Sequence, residues 1–254
     1  MAMLLDGPPS TIADLTIRDC DLLNLAVVEG IDLSTKLQVT TTDLETAVES
    51  MLQSMLPSYA AVKTYFPALR HIAVTPQLKL WHTYATLRAV YQDLYYSRLN
   101  DRYREKMKLF REEEARALDD VRATGLGVTF HPLPQAPTPS IVTVQSPDAG
   151  GTIYLAASYV NGKSEEGVIS LPVEADTLDG NSVTVTLTGF RDSATGWNLY
   201  AGLTPDTLTR QNALPLDPLD SMSLAPGRLI AGRKPGPGQG PNLLYPVPRR
   251  ILRG

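Results

Sequence analysis

The sequence predicts an α+β protein of two domains: an N-terminal α-helical bundle with one long helix, then a small antiparallel β-sandwich, then an extended C-terminal arm. Three observations carry this. Apolar residues recur at steps of three and four through the first half. Short β-branched and aromatic runs separated by turn residues fill the second half, and a Pro/Gly-rich stretch divides the two. The expected boundaries are residues 1–125 for the helical domain, 126–139 for a linker, 140–225 for the sandwich and 226–254 for a basic arm.

Leu22, Leu23, Leu25, Ala26 and Val28 make a short apolar helical face that ends at Glu29-Gly30, where glycine supplies a left-handed C-cap. Asp32 is placed to N-cap a helix through Lys36 and Leu37. Thr42-Asp43-Leu44-Glu45 has capping-box spacing and reads as the start of a further helix. Its apolar stripe is Leu44, Val48, Met51, Leu52 and Met55, until Pro57 stops it. Tyr59 to Thr75, interrupted by Pro67, reads as short turns, and Pro76 occupies the first turn of the long helix, where its missing N–H costs nothing. From Gln77 to Ala123 there is neither Gly nor Pro, so a single helix of about 70 Å is expected at roughly 1.5 Å per residue. Tyr84, Leu87, Tyr91, Leu94, Tyr95 and Leu99 keep one face apolar; beyond Asn100 the stripe thins to Tyr103, Met107 and Phe110. There Lys108 with Glu112, and Glu112 with Arg116, are four apart and spaced to pair on the helix surface.

Gly125, Gly127, Pro132, Pro134, Pro137 and Pro139 leave no room for regular structure in the linker. After it come Ile141 to Val144, Thr152 to Tyr159, Val168 to Val173, Val183 to Leu187 and Trp197 to Tyr200, with turn signals at Asn161-Gly162 and Asp179-Gly180. Strands of this length and spacing suit an immunoglobulin-like or fibronectin-like sandwich, its core anchored by Trp197 or Tyr154. From Pro226 on, Pro and Gly dominate.

At 43% hydrophobic and 20% charged residues the chain is globular in composition rather than disordered. A formal charge of -4 excludes a nucleic-acid polycation. The charge is uneven: no acid follows Asp220, whereas Arg228, Arg233, Lys234, Arg249, Arg250 and Arg253 do. The lone Cys20 excludes an intrachain disulfide and is expected as a small buried hydrophobe. Met1 to Ser10 lacks the basic and apolar regions of a secretory signal, and no apolar run approaches the ~20 residues of a membrane span.

No chemistry stands out. Gly162-Lys163-Ser164 imitates the end of a phosphate loop, but the upstream glycine is replaced by Ala157 and the setting is a hairpin turn. His71, His82 and His131 sit apart with no second ligand at metal spacing, so neither metal nor cofactor is expected. His82, beside Trp81, reads as a packing or interface residue, and Asp19 and Asp21 would raise rather than activate the Cys20 thiol. No catalytic residues emerge, and an enzyme such as a cell-wall hydrolase finds no support.

Glu29-Gly30-Ile31-Asp32-Leu33 with Lys36-Leu37, then Leu80-Trp81-His82-Thr83-Tyr84, Tyr91-Gln92-Asp93 and Leu99-Asn100-Asp101-Arg102-Tyr103, resemble the head-to-tail adaptor (connector) proteins of tailed double-stranded DNA bacteriophages and related gene transfer agents. The likeness covers residues ~10 to ~122. Gly196-Trp197-Asn198-Leu199-Tyr200-Ala201-Gly202 with Thr204 to Leu208 is similar to fibronectin-type modules fused to phage structural proteins. The resemblance implies a structural virion protein without enzymatic activity, assembled in the host cytoplasm and located at the head–tail interface. Its homo-oligomeric ring, usually of twelve copies, lies beneath the portal protein, continues the channel for packaged DNA without sequence-specific binding, and meets neck or tail proteins such as a tail terminator, nozzle or fibre-attachment protein. No membrane partner is implied. A baseplate or fibre-attachment protein whose sandwich binds the host surface is the alternative. On the adaptor reading, Trp81, Tyr84, Tyr91, Tyr95 and Arg102 are expected between protomers, and Leu243, Leu244, Tyr245, Arg249, Arg250, Ile251, Leu252 and Arg253 form an arm that docks on a partner. An acidic body would let DNA slide rather than stick.

Overall fold

The computed structural model describes residues 1–54, 68–98, 100–190 and 193–247. Among the described residues it is α+β, with five α-helices and three antiparallel sheets. Two compact units divide it: one comprises Met3–Phe130 and the described residues from Pro241 onward, the other Met1–Ala2 with His131–Gly240.

The helical unit begins with a 3-10 turn and α1 (Ile12–Arg18), N-capped by Thr11, which with Asp14 forms a reciprocal capping box. Helix α2 (Leu22–Glu29) ends where expected, with Gly30 in the left-handed region at φ 69°. Asp32 accepts from the N–H groups of Ser34 and Thr35 and so caps α3 (Leu33–Ser54). The expected helix start at Thr42 is wrong. Thr42 lies inside α3, its hydroxyl turned back to Gln38 O at 3.3 Å, because a capping box spends its side chains only where backbone N–H groups are orphaned. Leu44, Val48 and Leu52 are buried as one stripe; Met55, Pro57 and most of the expected turn region lie outside the described residues.

The single 70 Å helix is also corrected. Two helices, α4 (Pro76–Arg98) and α5 (Asp101–Thr124), occupy this stretch and pack as an antiparallel pair: Tyr84 stacks on Phe110 and Tyr91 meets Tyr103 at a tilt, with ring centroids at 6.4 and 6.3 Å. The break needs neither Gly nor Pro. Asn100 adopts an extended backbone (φ -96°, ψ 120°), and its side chain accepts from Arg102 N at 3.0 Å, capping α5. Folding back also gives the apolar stripe of α4 a partner, which a lone straight helix would lack. The pairing expected along α5 differs too. Lys108 bonds Glu105 and Arg116 bonds Glu113, each three residues back, while Glu114 crosses to Arg88 on α4.

Behind the helices lies a small sheet. Strand β2 (Leu126–Val128) sits between β1 (Ile72–Ala73) and β10 (Leu243–Tyr245). The expected linker therefore starts with a fully buried strand, and part of the expected free arm is ordered on its own chain, pairing Leu243 with Val128 and Tyr245 with Leu126. Pro241 and the glycines around it do not prevent this, because a strand at a sheet edge needs only alternate hydrogen bonds. Gly125 permits the approach. Its φ is +93°, and a Cβ there would lie 2.7 Å from Tyr245 O.

The second unit holds two sheets. One has the order β3–β6–β9, formed by Ser140–Gln145, Asn181–Thr186 and Ser221–Leu224. The other has the order β5–β4–β7–β8, formed by Val173–Thr177, Gly151–Val160, Gly196–Gly202 and Thr209–Arg210. Both supply one core: Ile153, Leu155, Ala157 and Tyr159 from β4, Val183 and Val185 from β6, Trp197 and Leu199 from β7, and Leu224 from β9. Trp197 is its fully buried anchor, its Nε1 donating to Asp217 O at 3.0 Å, whereas Tyr154 is half-exposed. The run from Val168 pairs as a strand only from Val173. Residues 131–139 and 226–240 belong to this unit; Gln239 accepts from Leu133 N and donates to His131 O.

Candidate interaction site at the tip of the helical hairpin

The motif segments separated by about seventy positions in sequence meet at the α4–α5 turn, where the C-terminus of α2 also arrives. Glu29 is the hub. Its Oε2 accepts from Arg98 Nε at 3.0 Å and its Oε1 from the Tyr103 hydroxyl at 2.8 Å. Arg102 donates to the same hydroxyl at 2.6 Å, and its guanidinium lies 4.7 Å from the Tyr103 ring centre. Tyr103 and the two arginines hold the Glu29 carboxyl below its ordinary range, the tyrosine hydrogen bond acting most strongly. These side chains, with Val28 and Asn100, line an open recess of about 430 Å³.

Local sequence explains the placement. Gly30 turns the chain sharply after Glu29, Asn100 starts α5 so that Arg102 and Tyr103 lie in its first turn, and Arg98 is in the last turn of α4. Beneath the tip, the buried Asp19 accepts from Tyr91 and, at 2.9 Å, from Lys106. Burial first, then that hydrogen bond, pushes the Tyr91 hydroxyl far above its ordinary range, so it stays a donor. Lys36 on α3 pairs with Asp93 on α4. A second buried polar site lies further along α4: His82 contacts Ser10 Oγ through Nδ1 at 2.5 Å, and Thr41 and Thr40 through Nε2 at 3.1 and 3.2 Å. Burial lowers its pKa to about 4.

Of the side chains expected between protomers, Trp81 and Tyr91 are buried inside this chain's own core, Tyr84 and Tyr95 are half-buried against it, and Arg102 is exposed at the tip. In this conformation Trp81 and Tyr91 have no surface left for a neighbour. Of the expected docking arm, Leu243 and Tyr245 are half-buried and Leu244 is 48% exposed; Arg249, Arg250, Ile251, Leu252 and Arg253 lie outside the described residues. Cys20 is exposed, correcting the expectation of burial: its neighbour Asp19 turns inward to Tyr91 and Lys106, so the next side chain is left facing solvent. Sequence reasoning does not single out Glu29, Arg98 and Tyr103 as a site; Glu29 and Tyr103 belong to the quoted motifs, whereas Arg98 lies just before Leu99 and carries no such signal.

Gly162-Lys163-Ser164 is a turn, with the Asn161 side chain accepting from Lys163 N and Glu165 N, and no helix follows. Among the described residues no cluster of three or more His, Cys, Asp or Glu side chains could hold a metal ion, and no helix is long and apolar enough to cross a membrane. At the tip, carboxylate and guanidinium groups neutralise one another around an open recess.

No family model matches the chain, and neither a curated protein nor a solved structure matches it.

Proposed function

We propose that this chain is a head-to-tail adaptor of a tailed double-stranded DNA bacteriophage or gene transfer agent, a structural protein that assembles as a ring, of twelve copies, beneath the portal and joins it to neck or tail components. The observation that carries the reading is the meeting of Glu29 with Arg98, Arg102 and Tyr103. Segments that resemble the adaptors at distant positions form one ion-paired cluster at the exposed end of a helical hairpin. A charged, pre-organised tip on a packed helical unit suits repeated protein contacts in a ring. The net acidic chain suits a wall past which DNA slides.

For the second unit we infer an immunoglobulin-like sandwich. The order β5–β4–β7–β8 corresponds to strands C′, C, F and G, and β3 beside β6 to B beside E. On this reading it is an accessory module through which the ring meets other tail parts.

Negative-stain imaging of the purified chain with portal rings of candidate host phages tests the proposal. Added ring density on one face of the portal, lost when Glu29→Lys reverses the hub charge, is the expected result. Portal rings unchanged by an excess of folded protein would rule the adaptor role out.

A further inference from the structure

The two-sheet unit leaves one strand edge open. Sheet edges present unpaired N–H and C=O groups, and natural proteins blunt them with charges, prolines, short strands or covering loops. Three of the four edges here are blunted. Strand β5 carries exposed Glu174 and Asp176. Strand β8 is two residues long and covered: Arg210 N donates to Arg233 O at 2.9 Å and Thr209 Oγ1 to Ile230 O at 3.0 Å. Strand β9 is short, with four residues against the six of β3. Strand β3, Ser140-Ile141-Val142-Thr143-Val144-Gln145, has none of these devices: no charge, no proline and no bulge in its register with β6. Among the described residues no strand pairs with its outer side.

Its geometry shows which groups are open. Ser146 N donates to Gly180 O at 2.8 Å, continuing the register in which Gln145 faces Asn181. Hydrogen-bonded pairs alternate along an antiparallel ladder. The even-numbered residues of β3 therefore bond β6, while Ile141, Thr143 and Gln145 turn their N–H and C=O groups to the free edge. Val142 and Val144, 60% and 44% exposed, lie on the outer face with Thr184 and Ser223.

We propose that β3 pairs with β3 of a second copy, antiparallel about a two-fold axis through Thr143, joining two three-stranded sheets into one. The strand is complementary to itself in this register. Thr143 meets Thr143 of the second copy, and Ile141 meets Gln145, all through groups already turned to the edge. Val142 then faces Val144 twice, at non-hydrogen-bonded positions where side chains approach most closely. With no charge from Thr138 to Pro147, nothing repels the second copy; a charged partner strand would find no counter-charge. The two-fold closes the edge at two copies. This inference concerns the free protein and does not rest on the adaptor reading.

Sedimentation velocity on the full chain tests it. A single strand pair is smaller than a standard interface, so dimers are expected within roughly 1–200 µM. Thr143→Lys sets like charges opposite each other and is expected to raise the dissociation constant roughly tenfold or more, with the melting temperature unchanged because Thr143 is exposed. In a Cys20→Ser background, Val142→Cys with Val144→Cys is expected to form disulfide-linked dimers on mild oxidation, and Val142→Cys alone is not. A monomer throughout that range, a dimer unaffected by Thr143→Lys, or equal crosslinking by the single-cysteine variant would each overturn the proposal.

Discussion

His82 is the most strongly determined side chain in the helical unit. It is fully buried among the hydroxyls of Ser10, Thr40 and Thr41, with burial holding its pKa near 4 against an ordinary value of 6.5. Between those two values the unfolded chain binds a proton that the folded chain refuses. Stability is therefore full above pH 6.5 and falls as the pH drops toward 4, by on the order of 3 kcal/mol for this group. Urea titrations across that range should show the loss, and His82→Gln should remove most of it relative to the parent, whatever carboxylates add at the acid end. A parent and variant with parallel pH profiles would refute the burial of a neutral imidazole. The sequence places His82 beside Trp81 on a helix and so suggests packing or an interface. Its hydroxyl partners lie more than forty positions away, which no local periodicity encodes.

At the scale of elements, the α4–α5 turn and the β10 strand decide the helical unit. A run without Gly or Pro still breaks where a polar side chain caps the next helix and the apolar stripes of both halves gain a common core. Asn100→Ala should therefore cost about 1 kcal/mol, read as a lower urea midpoint with an unchanged slope. Gly125→Ala should cost more, roughly 1–3 kcal/mol, since it combines a positive φ with a Cβ against Tyr245 O. Gly227→Ala, where a Cβ would meet nothing within 4 Å, is the control and should be close to neutral. Equal midpoints for the two glycine variants would mean that β10 does not pair with β2 in solution.

On the scale of the whole molecule, each unit has its own core and its own tryptophan: Trp81 in the helical unit, Trp197 in the two-sheet unit. Residues 131–240 expressed alone should fold, with Trp197 fluorescence reporting a cooperative transition. Within that fragment Trp197→Ala should cost about 3–5 kcal/mol, the usual loss for truncating a buried aromatic; an unchanged urea midpoint, followed by circular dichroism, would refute Trp197 as the core anchor. A fragment ending at 225 should be less stable than one ending at 240, because the Gln239 amide makes three hydrogen bonds, to Leu133, His131 and Glu165.

The sequence by itself determined what is local. Gly30 ends α2, Asp32 caps α3, Pro76 opens α4 and the alternation after Ser140 makes strands, because caps, φ preferences and side-chain periods act within a few residues. Only the tertiary structure decided what depends on distant partners. The fold-back at Asn100, the continuity of α3 through Thr42, the pairing of Leu243 with Val128 and the outward turn of Cys20 were each settled by burial of apolar stripes or by polar groups finding partners far along the chain. Glu29 belongs to both classes. Its place before Gly30 was legible; its bonds to Arg98 and Tyr103 exist because two helices pack antiparallel and bring their shared turn to its side.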